Sequence, residues 1–361
     1  MEVRNFFGAD YADARGKFRA AAAAAGLALS EHRHPARGPA GEALAMDAAW
    51  IGPRSASRLL LAISATHGVE GFCGSGCQTG WLQTRELERL PADTAALLIH
   101  AVNPYGFAWL RRVNEDNVDL NRNFLRHGGA YPENPGYREL REAICPRQWT
   151  AESRAAADAV LEAYAARHGA MALQSAISGG QYFDPEGLFY GGTAPVWSHR
   201  TLLAILAAEG ASVRHVGAID LHTGLGPYGV GEIINLHHEG EPGRERIVDW
   251  FGGEATSLQG GTSSSAKVSG DTSRGVALGL PNAVVAAVGL EYGTRPLKEV
   301  LDSLRADNWL HLYGKLDSPQ GREIKGQIRA AFYADKDDWK AMVFARSLDV
   351  MRRMLRGLAA A

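Results

Sequence analysis

A histidine and a glutamate with metal-binding chemistry stand close together in Ser64-Ala65-Thr66-His67-Gly68-Val69-Glu70-Gly71. The stretch follows directly on the apolar run Leu59 to Ile63, so His67 and Glu70 fall on the loop where a buried strand ends. An imidazole nitrogen and a carboxylate oxygen at this spacing can meet on one cation, and the flanking glycines leave the backbone free to turn both side chains inward. Alone, His-x-x-Glu is a weak signal, because it also occurs as surface chemistry or at a capped helix start. A catalytic zinc needs a third protein ligand and an open position.

Three further apolar runs, Leu97 to Val102, Val216 to Leu221 and Ala283 to Leu290, each end in a polar cluster. After the first come Asn103-Pro104-Tyr105-Gly106-Phe107, Arg111-Arg112-Val113-Asn114 and Val118-Asp119-Leu120-Asn121-Arg122-Asn123-Phe124. After the second stands Asp220-Leu221-His222-Thr223-Gly224, and after the third Leu290-Glu291-Tyr292-Gly293-Thr294. Together they offer two histidines and a glutamate as ligands, a spare glutamate, and arginines.

The elements that would position these residues follow from the same pattern. Helix formers from Gly76 to Leu90, stopped at Pro91, lie between the runs at Leu59 and Leu97, which makes one strand-helix-strand crossover. The fold class expected is α/β, a mixed, mostly parallel sheet flanked by helices, with ligands gathered beyond the carboxyl ends of the strands. The alanine-rich stretch Tyr11 to Leu29 reads as helix and His32 to Gly41 as a Pro/Gly loop, giving a helical segment over residues 1–45. Thr150 to His168 and the basic, amphipathic tail Trp339 to Leu358 read as helices, Ile177 to Trp197 as a structured loop, and Gly252 to Gly275 as a mobile surface loop. Residues 1–361 are expected to form a single catalytic domain, with an insertion around 126–215 folding over or beside the site.

Composition narrows the role. A formal charge of -2, with 46% hydrophobic and 22% charged residues, argues against a nucleic-acid or polybasic membrane function. Cys73, Cys77 and Cys145 make neither a disulfide framework nor a structural zinc site and read as buried thiols. No apolar run approaches the length of a membrane span, so a cytoplasmic setting is expected. His100, His127, His199, His237 and His238 read as structural.

In its ordered motifs, across roughly Leu59 to Gly293, the chain resembles the zinc carboxypeptidase (M14-like) superfamily of metallopeptidases: His-x-x-Glu, then Arg and Asn-Arg, then His, then Glu. Gly179-Gly180-Gln181-Tyr182 followed by Gly187-Leu188-Phe189-Tyr190-Gly191-Gly192 is similar to the bacterial DUF2817 branch. The resemblance implies one catalytic Zn2+ held by His67, Glu70 and His222, with Glu291 as general base and Arg112 facing the developing oxyanion. It also implies that Asn121 and Arg122 grip the substrate's free carboxylate. Arg111, the competitor of Arg112, is then expected to face solvent.

Three departures from the family pattern are Asn117, where glycine is frequent, Tyr105, where aspartate is frequent, and the long separation of Glu70 from His222. The activity implied is hydrolysis of an amide next to a free carboxylate, by a metallocarboxypeptidase. The alternatives are an N-acyl amino acid deacylase of the succinylglutamate desuccinylase/aspartoacylase type and a non-catalytic protein that binds peptide tails. The partner expected is a peptide or N-acyl amino acid, with no nucleic acid and no membrane. Cobalt or manganese, a second ion, the oligomeric state and the choice among Tyr182, Tyr190, Tyr228 and Tyr292 as substrate contacts stay open.

Overall fold

Alternation along the central strands fixes the layers. In the computed structural model, which describes residues 2–361, an eight-stranded sheet is built from β1 (Leu29–Arg37), β2 (Ala43–Ile51), β3 (Arg58–Ile63), β4 (Thr94–His100), β5 (His215–Tyr228), β6 (Gly231–Asn235), β7 (Ala255–Ser257) and β8 (Val284–Gly293). The spatial order is β1-β2-β4-β3-β5-β8-β6-β7. Strands β4, β3, β5 and β8 run parallel to one another, while β2 joins β4 and β6 joins β8 antiparallel. The sheet is therefore mixed, with its parallel part at the centre, where burial on both faces calls for near-continuous apolar runs.

Leu60, Ala62, Leu98, Ile219 and Val288 point to one face, and Leu59, Leu61, Leu97, Ala218 and Ala287 to the other. Helices Tyr11–Ala24, Gly71–Gln83 and Asp337–Ala360 cover the first face through Phe18, Phe72, Trp81, Trp339 and Met351. Trp197–Glu209 and Thr272–Gly279 cover the second through Leu202, Ile205 and Val276. A third cluster joins helices Pro135–Ile144, Ala151–His168 and Ala170–Ser178 of the insertion to Leu297–Tyr313 and Pro319–Phe332. It contains Val69, the residue before Glu70, so these helices pack beside the candidate site.

Two expectations are corrected. The helical segment over 1–45 ends at Ala24, and the chain then forms the edge hairpin of β1 and β2. Pro35 does not prevent a strand there, because it falls where the register shifts between Arg33 and Arg37 on an outer strand, a place where a missing N–H is tolerated. Arg111, expected at the surface, is 5% exposed. Its Nε donates to Asp307 at 3.3 Å and its Nη2 to Asn117 Oδ1 at 2.9 Å. Asn117 has φ 59, the left-handed conformation in which asparagine can stand for glycine.

Asp307 also accepts from Lys325 Nζ at 2.5 Å, tying the helices Leu297–Tyr313 and Pro319–Phe332 to the loop that carries Arg111 and Arg112. Burial alone would raise this carboxyl, but Lys325, Arg111 and His311 outweigh it and hold it below the usual range. Asp307→Asn leaves two cations underneath with no charge partner, and a loss of roughly 3–5 kcal/mol is expected, read as a lower urea midpoint. A midpoint within error of the wild type would refute the network as a structural tie.

His100 supplies a pH prediction away from the candidate site. The ring is fully buried, stacked on Phe18 at 4.6 Å with Nε2 2.8 Å from Ser75 Oγ. Burial pushes its pKa from the ordinary 6.5 down to about 4. As pH falls, the unfolded chain takes up this proton near 6.5 while the folded chain waits until about 4. Stability present above 6.5 is therefore lost progressively on acidification to 4, by about 3 kcal/mol. Urea titrations of chelator-treated protein check this: in His100→Phe that part of the acid slope should disappear, and an unchanged slope would reject it.

Among the described residues no helix is long and apolar enough to cross a membrane.

Candidate metal centre

The first two candidate ligands sit where β3 gives way to helix Gly71–Gln83. His67 precedes a single 3-10 turn, Gly68–Glu70, and Glu70 is the residue before the helix begins. Neither glycine is needed for a left-handed conformation, contrary to the expectation of conformational freedom; Gly71 has φ -57. Space is the reason at Gly68: a Cβ there would lie 2.0 Å from the carbonyl carbon of Gly106, in the turn after β4. The two loops can touch because both positions lack side chains, and the contact is closed by Gly68 N–H to Arg112 O at 3.1 Å and Val69 N–H to Arg111 O at 2.8 Å.

The third candidate ligand comes from β5. Asp220 and His222 are two apart on a strand and so share a face. In register, Asp220 pairs with Ile63 of β3, and His222 pairs with Glu291 of β8. This brings together His67, Glu70 and His222, all buried, with one potential ligand atom from each within 4.8 Å of the others. His67 Nδ1 is 2.9 Å from Glu70 Oε1, and His222 Nδ1 is 3.0 Å from Glu70 Oε2.

The ring nitrogens on the far sides meet carboxylates. His222 Nε2 lies 2.7 Å from Asp220 Oδ2, and Asp220 is itself fixed by the hydroxyls of Thr66 and Thr272, each at 2.7 Å. His67 Nε2 lies 3.2 Å from Asp119 Oδ1. A ring that donates through Nε2 presents the lone pair of Nδ1, which is how a carboxylate behind an imidazole prepares it as a ligand. Arg112 Nη2 stands 2.7 Å from the same His67 Nε2 and competes for it, favouring the other tautomer.

These residues fit a divalent cation on two grounds. His67 Nδ1 is buried with no hydrogen-bond partner, despite its closeness to Glu70, because the two atoms are not aligned on each other. Around the three side chains, the carboxylates of Glu70, Asp119 and Asp220 outnumber the guanidiniums of Arg112 and Arg122, and that excess of negative charge favours a bound cation. Burial would raise Glu70, but His67 and His222 hold it far below the carboxylate range. Asp119 is likewise held down, against burial, by Arg112, Arg122 and His67. Two histidines and one carboxylate suit zinc.

Glu291, 8% exposed, is next to this group on the cavity wall. Its Oε1 accepts from Leu225 N–H at 3.0 Å. Burial, and then repulsion from Glu70, push its pKa up to about 8. Arg112 is less available than expected: Nε donates to Asp119 at 2.9 Å and Nη1 to Glu70 at 3.1 Å, with Nη2 on His67. Asn121 Oδ1 accepts from Thr272 N–H at 3.0 Å, and its Nδ2 lies 3.4 Å from His222 Nε2. Arg122, 4% exposed, donates to the carbonyl of Ser178, reaches Asp119 only at 3.5 Å, and keeps a buried Nε without a partner beside Gly180.

All seven expected site residues thus line one cavity of about 290 Å³. None of Tyr182, Tyr190, Tyr228 and Tyr292 does so; the Tyr182 hydroxyl donates to the Arg122 carbonyl at 2.7 Å instead. Sequence reasoning missed the orienting role of Asp220, although Asp-x-His at a strand end was a usable signal. It also missed Phe189, whose ring lies 5.3 Å from Arg112 and 5.4 Å from Arg122 and whose φ of 55 no composition could reveal. The Gly252–Gly275 stretch is not a detached surface loop: Leu258, Ala266 and Val268 wall the cavity, and Glu232 pins Ser264 and Thr256.

The profile of a family described as "Protein of unknown function (DUF2817)" matches residues 7–346. No curated protein matches the sequence. Similar solved structures include carboxypeptidase A from Helicoverpa armigera, at 12% identity and TM-score 0.48, covering 98% of this chain and 74% of that one. They include a metallo-carboxypeptidase from Pseudomonas aeruginosa, at 14% identity and TM-score 0.35, covering 92% and 69%. The succinylglutamate desuccinylase from Chromobacterium violaceum is similar at 17% identity and TM-score 0.35, covering 87% and 72%.

Proposed function

The chain belongs to the DUF2817 family, and from that footing we propose that it is a metal-dependent hydrolase that releases an amino acid with a free carboxylate from the amide bond preceding it. Removal of the C-terminal residue of a peptide, the reaction of a metallocarboxypeptidase, is the direct form of this chemistry. The observation that carries the reading is the pair of Nδ1 atoms set at 2.9 and 3.0 Å from the two oxygens of Glu70, each ring backed by a carboxylate.

His67, Glu70 and His222 would hold the ion. Zinc bound there supplies Lewis-acid polarisation of the scissile carbonyl and makes water more acidic. Glu291, anchored through one oxygen by Leu225 N–H, has its other oxygen for taking a proton from the attacking water and returning it to the departing nitrogen. The under-used donors of Asn121 and Arg122 would take the substrate carboxylate, and Arg112 would stabilise developing negative charge through its fixed positive charge. Beside Asn121, the cavity wall made by Ile234, Leu236, Leu258 and Val268 suits an apolar amino-acid side chain.

An N-acyl amino acid satisfies the same chemistry. The second reading gains support from the apolar side chains that helices Ala170–Ser178 and Leu297–Tyr313 contribute to the cavity wall. Zinc-loaded protein incubated with peptides bearing free or amidated C-termini, together with N-acyl amino acids, tests the proposal by mass spectrometry. Amino-acid release from free carboxylates alone is expected. Equal cleavage of amidated and free substrates would remove the role given to Asn121 and Arg122, and metal binding without any turnover would leave a binding protein.

A further inference from the structure

The cavity has two apolar walls of different origin. One, beside Asn121, belongs with the core under β6. The other belongs to the cluster formed by the insertion and the C-terminal helices: Leu173, Ile177, Val300, Leu301, Leu304 and Phe332. Phe332 fixes this second wall on the His222 side, since its carbonyl accepts from Thr223 Oγ1 at 2.6 Å. The wall meets Arg122 at one end, where Ser178 O accepts from its Nη2, and the His222 side at the other through Phe332; with the carboxylate held at Asn121 and Arg122, the Phe332 end is the side left to the carbonyl half of the scissile amide.

Side-chain donors on this wall already serve the protein. Gln174 Nε2 donates to Ser264 O at 2.6 Å, clasping the insertion to the 252–275 segment; Ser178 Oγ donates to Gln174 O at 2.8 Å; and Thr223 Oγ1 is held by Phe332. A peptide extended along it would bury backbone N–H and C=O groups with few partners, a penalty of about 1–3 kcal/mol for each unmatched group. A succinyl-type group would bring a further carboxylate to a cavity whose only cations, among the described residues, are Arg112 and Arg122. A hydrocarbon meets neither penalty. The path also continues outward: a second cavity of about 380 Å³ shares Gln174, Leu225 and Leu297 with the first and is lined by Pro227, Tyr228 and Pro296, with exposed Arg295 on its lining.

We propose that the carbonyl-side wall binds an apolar acyl chain, so that the preferred substrates are N-acyl amino acids with aliphatic acyl groups; this rests on the amide-hydrolase reading above. Water adds across the amide: its oxygen forms the new bond to the acyl carbon, the C–N bond breaks, and the amino acid departs with the proton on its nitrogen, leaving a fatty carboxylate.

The test compares kcat/KM of the zinc-loaded full chain on N-octanoyl-, N-acetyl- and N-succinyl-phenylalanine and on an unblocked tetrapeptide ending in phenylalanine. N-octanoyl-phenylalanine is expected to exceed the acetyl compound by roughly a hundredfold, given the free energy of burying each added methylene. In Leu173→Glu and, separately, Leu301→Gln, the octanoyl-to-acetyl ratio is expected to fall by roughly tenfold or more. Acetyl, succinyl or peptide substrates turned over as fast as the octanoyl one, or a ratio that neither variant moves, would overturn this inference and leave amide hydrolysis standing. Hydrolysis of none of the four would overturn both.

Discussion

Glu291→Gln protein is expected to bind its metal with unchanged stoichiometry and to turn over roughly 10²–10⁴-fold more slowly, the usual contribution of a positioned general base. The substitution is close to isosteric, and the amide oxygen can still accept from Leu225 N–H, so β8 and its pairing of Glu291 with His222 should be undisturbed. What is lost is the basic oxygen. Metal analysis alongside single-turnover kinetics separates the two effects. Loss of metal together with activity would make Glu291 a ligand or a structural group, and unchanged turnover would leave it with no role in proton transfer.

The second large effect is expected at β5. His222→Ala removes one of three candidate ligands and leaves the buried carboxylates of Glu70 and Asp220 facing a hole, so stable metal binding should be lost outright. Asp220→Asn is the informative companion. The amide can still meet His222, but it no longer enforces donation from Nε2, and it weakens the hydroxyl contacts of Thr66 and Thr272. Metal affinity should fall by roughly 10–100-fold, the range found when an orienting partner behind a ligand is removed. Competition with a chelator of known affinity measures both variants. Full affinity in His222→Ala would disqualify the proposed triad, whereas full affinity in Asp220→Asn would show that Asp220 serves only the packing around Thr272.

Much of the site was legible because metal chemistry restricts residue types and the parallel sheet restricts where they stand. His67, Glu70, His222 and Glu291 each follow an apolar run, and the central strands were readable because two-sided burial leaves no polar alternation to confuse them. The edge was not readable: β1 is half exposed and carries Pro35, and its pairing with β2 depends on tertiary contacts such as Arg15 to Asp47 at 2.6 Å. Arg111 and Arg112 were adjacent and chemically identical, so only the distant Asp307 distinguishes them. The cavity walls were equally hidden, since the helices Ala170–Ser178 and Leu297–Tyr313 are far apart in sequence and become one wall only after folding.

The register of β5 would make an ion held by His67, Glu70 and His222 a reporter of assembly. Its pairing with β3 on one side and β8 on the other places Asp220, His222 and Glu291 within reach of a loop that precedes His222 by 152 residues. A slip of a single residue along β5 would turn His222 to the opposite face of the sheet and separate it from Glu70. High-affinity metal uptake during refolding should therefore arise only when β3, β5 and β8 have found their final alignment, later than the appearance of helical signal. Followed in time with a metal-sensitive dye, the ion would serve as a clock for the last step of sheet formation, independent of whether any substrate is known.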